Sequence, residues 1–253
     1  MSSLKSAMGD LMGAISIASK DVRVYYLKPP AIFYGLMFPV SLYLAFQMGR
    51  PCIVPEYRLT GIVTIACFFG ASTIEAVVFP LERTAGTFDR LIVAPVSLRA
   101  IVLGKALAGA IFGLLTSLIF AAVASPLSGA IQVQPLLFIP GIVLSSIAFS
   151  ALGTVISVRA NDITQAMMPL NLIRLIMIFM SGVFLPLEEE YAFMPSLQVL
   201  AYALPLTYSV DAVRQTSWGP IRIESLVIDW VALFLFAVTF LIMSAKLLRR
   251  SLR

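Results

Sequence analysis

The stretch LTGIVTIACFFGASTIEAVV, residues 59–78, decides the fold, since Glu75 is its single acidic or basic residue. Roughly 20 apolar residues suffice for a helix to cross the hydrocarbon core of a bilayer. The whole chain has the same character: 60% of its 253 residues are apolar, 12% are charged, and the mean hydropathy is +0.96. A soluble domain carries about a quarter charged residues. We therefore predict an all-α integral membrane protein.

Further apolar runs on both sides of this stretch resemble it in length. They predict a six-span bundle over residues 31–253, within a single transmembrane domain that covers residues 1–253. The predicted transmembrane helices cover residues 31–48, 59–78, 101–124, 136–158, 165–185 and 226–245. In the third helix, small residues recur at the spacing that brings helices close together in lipid, namely Gly104, Ala108, Gly109 and Gly113.

Residues 1–30 have an amphipathic pattern rather than a continuous apolar one. Apolar residues recur at helical spacing among charged ones: Leu4, Met8, Leu11, Met12, Ile15 and Val22. This pattern is typical of a helix that lies in the membrane interface. Pro29 and Pro30 end it.

The basic residues predict the orientation of the chain. Six spans place both termini on one side, and most Lys and Arg residues fall in the segments of that side. Those residues are Lys5, Lys20, Arg23, Lys28, Arg83, Arg90, Arg99, Lys105, Arg159, Lys246, Arg249, Arg250 and Arg253. The positive-inside rule then predicts cytoplasmic termini in a multi-pass protein of the cell membrane. This rule explains the net charge of +5 better than nucleic-acid binding does.

The composition argues against catalysis by this chain. It contains no histidine and two cysteines, so it lacks a histidine base and a His/Cys metal cluster. A phosphate-binding loop requires Ser or Thr after Gly-Lys, whereas Gly104 and Lys105 are followed by Ala106. We expect no catalytic residue, no metal and no bound cofactor.

Two segments resemble the permease subunits of type-2 ABC exporters: LERTAGTFDRLIVAPVSLRAIVLGKALAG (81–109) and SGVFLPLEEEYAFMPSLQVLAYALPLTYSVDAVRQ (181–215). The matching positions in the first are Glu82, Gly86, Thr87, Arg90, Leu91, Pro95, Val96, Ser97, Gly104 and Lys105. Those in the second are Ser181, Gly182, Pro186, Leu204, Pro205, Leu206, Thr207, Tyr208, Asp211, Ala212 and Arg214. The chain departs from the family at Asp89, where relatives often have Glu, and at Thr84 and Ala85, where a charge is common.

The resemblance implies a division of labour between subunits. This chain forms the membrane pathway together with a second permease, expected to be a copy of itself, although a different permease is an alternative. Two copies of a separate ABC ATPase use ATP and Mg²⁺. A cytoplasmic coupling helix within residues 82–98 docks on the ATPase, and re-entrant helices within residues 192–213, broken at Pro205, cap the outer mouth. The coupling residues are Glu82, Arg83, Gly86, Thr87, Asp89, Arg90 and Pro95, and those of the outer motif are Pro205, Thr207, Tyr208, Asp211 and Arg214.

Polar residues inside the predicted spans are costly in lipid and mark functional candidates. Glu75 either reaches the interface or serves the pathway. Asn171 and Arg174 lie one turn apart in the fifth span, where they form either a structural pairing, for example with Glu75, or a polar patch on the transport path.

The favoured function is an ATP-driven exporter permease for a lipid-linked, polysaccharide or drug-like molecule. A proton-driven secondary transporter is the main alternative, but it calls for paired carboxylates at the midplane. A scaffold protein or an intramembrane enzyme is weaker still.

Overall fold

The structure is a computed structural model that describes residues 2–26, 35–42, 44–45, 55–128, 133–183, 195–217 and 221–252. Over these ranges it is helical, with no strand. The elements are α1 (Ser2–Asp21), a π-helical turn (Val22–Tyr26), α2 (Pro55–Thr84), α3 (Phe88–Ile92), α4 (Leu98–Ser128), α5 (Pro135–Ser157), α6 (Ile163–Met180), α7 (Pro195–Ala201), α8 (Pro205–Ser217) and α9 (Ile223–Ser251).

Five helices in the described part of the chain are long and apolar enough to cross a membrane: α2, α4, α5, α6 and α9. They coincide with the second to sixth predicted spans. Ten residues of the first predicted span, 35–42 and 44–45, are described and helical, and the rest of residues 31–48 lies outside the described residues. The chain is therefore a multi-pass membrane protein.

Helix α2 lies at the centre of the bundle and packs against α4, α5, α6 and α8. Its contact with α4 is close because glycines replace side chains there, as predicted. A Cβ at Gly113 would come within 2.6 Å of the Ala71 Cβ, and one at Gly109 within 2.7 Å of the Ala71 carbonyl oxygen. Apolar side chains from α2, α5 and α8 complete the core around Phe68 and Phe149.

Helix α1 packs along the first half of α4. Ala14 and Ala18 are buried on that side, and a Cβ at Gly104 would come within 2.6 Å of the Ala14 carbonyl oxygen. The large apolar residues of α1 lie on its opposite face and are more than half exposed: Met8, Leu11, Met12 and Ile15. The amphipathic pattern therefore separates a small-residue face, which packs on the protein, from a large apolar face.

One predicted boundary is wrong. The second span was expected to end at about Val78, but α2 continues to Thr84 and reaches about 45 Å in length. Glu82 and Arg83 therefore continue α2 instead of starting a loop. Within residues 82–98, where the coupling helix was expected, the structure has one short separate helix, Phe88–Ile92.

Two short helices, α7 and α8, lie between α6 and α9. Pro205 begins α8, and residues 202–204 separate it from α7. The predicted break at Pro205 is therefore present. Helix α8 is buried along much of its length against α5, α9 and α2.

Candidate functional site

Four charged side chains meet where α1, α2 and α4 come together, and we call them the four-charge cluster: Lys20, Asp21, Glu82 and Lys105. The Lys105 Nζ lies 3.1 Å from Asp21 Oδ2 and 2.7 Å from Glu82 Oε2. The Lys20 Nζ lies 2.9 Å from Asp21 Oδ1 and 2.5 Å from Glu82 Oε1. Each cation thus contacts both anions, and the cluster has no net formal charge.

Burial makes the balance of charge in this cluster important. Asp21, Glu82 and Lys105 are at most 1% exposed, whereas the side chain of Lys20 is 39% exposed. A buried charge that loses its partner carries the full cost of desolvation. The cluster therefore holds three helices in one fixed arrangement. For Lys20, burial lowers the pKa, but the hydrogen bonds to Glu82 and Asp21 outweigh it, so the pKa lies above its usual 10.5.

Local structure explains how these side chains meet. Lys20 and Asp21 are the last residues of α1, and Lys105 lies in the second turn of α4, beside the glycine that lets α1 approach. Glu82 lies in the last turn of α2. The Lys105 ammonium also lies 4.8 Å from the centroid of the Phe79 ring, which gives it an aromatic neighbour.

Glu75 lies about two turns before Glu82 on α2 and is fully buried, so its carboxyl group is not exposed at the protein surface. Its Oε1 accepts a hydrogen bond from the hydroxyl of Tyr26, which the π-helical turn directs inward. The Tyr26 ring packs edge-on against Phe112, with 5.3 Å between centroids. Burial, followed by the nearby Glu75 charge, raises the pKa of Tyr26 well above its usual value. The turn after α1 is therefore tied into the span region.

The predicted coupling residues divide into two groups, of which the first is exposed. Gly86, Thr87, Asp89, Arg90 and Pro95 face outward, and the nearby Val93 is 84% exposed. Gly86 has a φ of 66°, a conformation that favours glycine, and it turns the chain from α2 into α3. Phe88 anchors α3, since it is buried against Phe79.

The second group, Glu82 and Arg83, faces inward and supports the first. Glu82 belongs to the four-charge cluster. The Arg83 Nη2 donates to the Val158 carbonyl oxygen at 2.6 Å and to Ser251 Oγ at 2.9 Å. Arg83 thereby joins the end of α2 to the end of α5 and to the last turn of α9. The end of α2, from which α3 follows, is therefore held in place by two neighbouring helices.

Arg174 is buried in α6, at 2% exposure, and its partners are neutral. Its guanidinium donates to Ser72 Oγ at 2.7 Å and to Thr73 Oγ1 at 2.8 Å, and lies 4.6 Å from the centroid of the Phe69 ring. Asn171 accepts a further bond at 3.3 Å and is itself exposed on the outer face of α6. The suggested pairing with Glu75 is wrong, because Glu75 bonds to Tyr26 instead.

The outer motif residues all lie on α8 and fasten the neighbouring elements to it. Thr207 donates to the Ala201 carbonyl oxygen at 2.5 Å, and the Tyr208 hydroxyl donates to the Tyr202 carbonyl oxygen at 2.7 Å. These bonds connect α7 and α8 across the break before Pro205. On the other face, Asp211 accepts from the Ser225 hydroxyl of α9 at 3.4 Å and Arg214 donates to the Gly182 carbonyl oxygen at 2.8 Å.

Sequence reasoning missed Lys20, Asp21, Tyr26, Ser72 and Thr73. A signal existed for the first two, because Glu82 and Lys105 were both singled out and any charge buried at a span end needs a partner. Nothing in the sequence identified α1 as the source of those partners. Among the described residues, no group of His, Cys, Asp and Glu side chains is suited to holding a metal ion.

Comparison with known proteins gives one family model and three curated relatives that share a name. The model of a family described as ABC-2 type transporter matches residues 19–218. Three curated relatives, each called Nodulation protein J, are also similar. The protein from Rhizobium leguminosarum bv. viciae is 32% identical over 117 residues, which cover 46% of this chain and 43% of that protein. The protein from Neorhizobium galegae is 28% identical over 192 residues, 72% of this chain and 69% of the relative. The protein from Rhizobium leguminosarum bv. trifolii is 28% identical over 257 residues, 98% and 88% of the two chains.

Proposed function

This chain belongs to the ABC-2 type transporter family, and from that premise we propose that it exports a lipid-linked, polysaccharide or drug-like molecule. It is a membrane permease subunit of an ABC transporter, and its family pairs with an ABC ATPase subunit. The family assignment favours this function over the proton-driven alternative.

The proposed arrangement in the membrane has six spans. Residues 31–48 supply the first span, and α2, α4, α5, α6 and α9 supply the others. Both termini lie in the cytoplasm, in the cell membrane of the organism. Helix α1 lies at the cytoplasmic interface with its large apolar face in the lipid, which the exposure of Met8 and Met12 supports. Helices α7 and α8 form the re-entrant cap of the outer mouth.

The coupling function depends on α3 and its surroundings. The observation that carries it is a short exposed helix on a rigid base: Thr87, Asp89 and Arg90 face outward, while Glu82 and Arg83 bond inward. A docking element must present side chains to a partner and must move as a unit with the spans behind it. The segment from Thr84 to Pro95 meets both requirements.

The four-charge cluster gives this motion a route to the rest of the chain. Glu82 of α2 contacts Lys105 of α4, and Lys105 also contacts Asp21 of α1. A displacement of the base of α3 therefore moves the interfacial helix and the third span together. This chain transmits the movement of the ATPase and forms the pathway for the exported molecule, whereas the ATPase binds ATP and Mg²⁺ and hydrolyses the ATP.

The complete transporter contains two ATPase subunits and two copies of this permease. The outer face of α6 supports the second permease, because it is apolar and exposed but carries Asn171 at membrane depth. A polar side chain in that position prefers a protein neighbour to lipid. Asn171 already bonds to the buried Arg174, so this face is linked to the interior of the bundle.

Cysteine crosslinking tests the coupling role. Thr87→Cys or Arg90→Cys is combined with Cys52→Ser and expressed with the ATPase; the native Cys67 is buried and stays. We expect a crosslink between the two subunits whose yield changes with ATP and vanadate.

Val227→Cys is the matched control, since Val227 is 46% exposed and lies near the opposite end of the bundle. Equal crosslinking at Val227, or no crosslink at any exposed position between Thr84 and Pro95, would exclude the coupling role.

A further inference from the structure

A groove of about 840 Å³ lies between α1, the start of α4 and the end of α9. Nothing in the coupling mechanism uses it. Its volume is within the range of about 300–1,000 Å³ that is typical of small-molecule sites.

The upper part of the groove is basic. Arg99, Lys246 and Arg249 line it, and all three are exposed. They form no ion pair within the described part of the chain. The acidic side chain on the lining, Asp10, is turned toward the protein, where it accepts a hydrogen bond from the Ser97 backbone N–H at 3.3 Å. The groove therefore presents a net positive charge.

The lower part of the groove is apolar. Val102 and Leu103 of α4 face Leu241 and Ile242 of α9 across it. Leu241 lies two turns before Arg249, so the groove extends about 12 Å from the charges into the span region. Leu103 and Ile242 are 41% and 50% exposed, which leaves the apolar part open at the side of the bundle.

We propose that this groove binds one anionic phospholipid of the adjacent leaflet. Its phosphate contacts Arg99, Lys246 and Arg249, and an acyl chain lies along Leu103 and Ile242. The order of the two parts carries the proposal, because the charges lie at the ends of two spans and the apolar surface lies deeper, as in a bilayer. An ATPase surface would cover the charges but would leave the apolar part without a partner.

Such a lipid contacts three elements at once. Asp10 and Ser97 form the back of the groove, so a bound lipid covers the junction of α1 with α4. It also contacts the end of α9. The lipid therefore stabilises the interfacial helix in its packed position beside the four-charge cluster.

Native mass spectrometry of the full, delipidated chain tests the proposal, with phosphatidylglycerol and phosphatidylcholine as probes. We expect the wild type to retain one phosphatidylglycerol at about tenfold lower lipid concentration than phosphatidylcholine. The variant Arg99→Gln, Lys246→Gln, Arg249→Gln is expected to lose this preference. The matched control is Arg90→Gln, Arg159→Gln, Arg250→Gln, which removes the same charge from exposed positions outside the groove and is expected to keep it.

The apolar part has its own test. Leu103→Trp fills the groove and is expected to weaken phosphatidylglycerol binding without a change in charge. Leu115→Trp, on an exposed part of α4 outside the groove, is expected to leave this binding unchanged.

Equal losses of phosphatidylglycerol preference in the two triple variants would overturn the proposal, because the lipid would then respond to net charge alone. Full competition by soluble glycerol phosphate would overturn it as well, since a headgroup site needs no acyl chain. Loss of ATPase binding with unchanged lipid retention in the groove variant would assign the surface to the ATPase.

Discussion

Helix α2 buries charge in opposite ways at its last turn and near its middle. At its last turn, Glu82 lies in a cluster where two cations and two anions contact one another. About three turns earlier, Ser72 and Thr73 accept hydrogen bonds from the guanidinium of Arg174, which has hydroxyl, amide and aromatic partners instead of a carboxylate.

The difference lies in what remains when one member is removed. Loss of a charge from the four-charge cluster leaves buried ions of the opposite sign. Loss of Arg174 leaves hydroxyls that have other bonds, because Ser72 donates to the Phe68 carbonyl oxygen and Thr73 to that of Phe69. We therefore expect the cluster to be essential for the fold at this end of the bundle, and the Arg174 site to be tolerant of substitution. The following predictions test that contrast.

Lys105→Met is expected to have the largest effect. It keeps the volume of the side chain but leaves Asp21 and Glu82 buried with Lys20 alone, at a cost of about 3–5 kcal/mol in the free energy of unfolding. Denaturation of the purified protein in mixed detergent measures the change. Arg250→Met, at an exposed position outside the groove, is the control and is expected to change little. Equal effects of the two substitutions would show that the cluster does not stabilise the fold.

Gly109→Ala is expected to have the second-largest effect. Gly109 lies between the two regions, and its new Cβ would come within 2.7 Å of the Ala71 carbonyl oxygen and 2.8 Å of the Glu75 Cγ. Because backbone atoms form part of the contact, α4 must move away from α2, at a cost of about 1–3 kcal/mol. The same denaturation assay measures it.

The control for Gly109 is Gly9→Ala, on the exposed part of α1, where a Cβ meets nothing within 4 Å. It is expected to stabilise by about 0.5–1 kcal/mol. Destabilisation by both alanines would mean that the effect at Gly109 reflects helix composition rather than packing.

Arg174→Met is expected to cost about 1 kcal/mol, since its partners keep other hydrogen bonds and the methionine fills the same volume. Arg174→Ala is expected to cost more, because it also opens a cavity beside Phe68 and Phe69. If Arg174→Met lowers the free energy of unfolding as much as Lys105→Met does, the Arg174 site is no more tolerant of substitution than the four-charge cluster.

Lys20→Ala is expected to have the smallest effect, about 0.5 kcal/mol, because solvent screens its half-exposed side chain. The pKa of Lys20 is raised in the folded state, so its contribution is fully present below the unfolded pKa of 10.5. The contribution is lost as the pH rises through the higher folded pKa. The difference in unfolding midpoint between wild type and variant is therefore constant from pH 7 to 10 and decreases above it. A difference that grows above pH 10 would contradict this sign.

Much of the fold could be predicted from the apolar runs, because a helix that spans a bilayer needs about 20 apolar residues, and such a run is easily recognised in a sequence. The predicted end of α2 failed for a physical reason. Glu82 and Arg83 resemble loop residues, but Lys105 neutralises the first and backbone carbonyls bind the second, so the helix continues through both. Such neutralisation depends on side chains distant in sequence, and no local pattern predicts it.

The candidate site was predicted in part. The resemblance selected Glu82 and Lys105, which prove to be direct partners, although no spacing rule joins them. Lys20 and Asp21 were assigned to the polar side of an interfacial helix, because a hydrophobic pattern cannot distinguish a polar residue that faces water from one that faces a buried ion. Arg174 was among the polar candidates, but its hydroxyl partners are common residues that no composition rule selects.

The hydrogen bond from Arg83 to Ser251 has a practical consequence for measurement. It ties the last turn of α9 to the base of α3, so the end of α9 reports on the segment that we propose to dock on the ATPase. A fluorophore attached near Ser251 and a second one on the ATPase would report the change in distance between the two subunits during ATP hydrolysis, as a change in energy transfer. A rigid protein fused near Ser251 is expected to restrain this movement and to slow ATP hydrolysis.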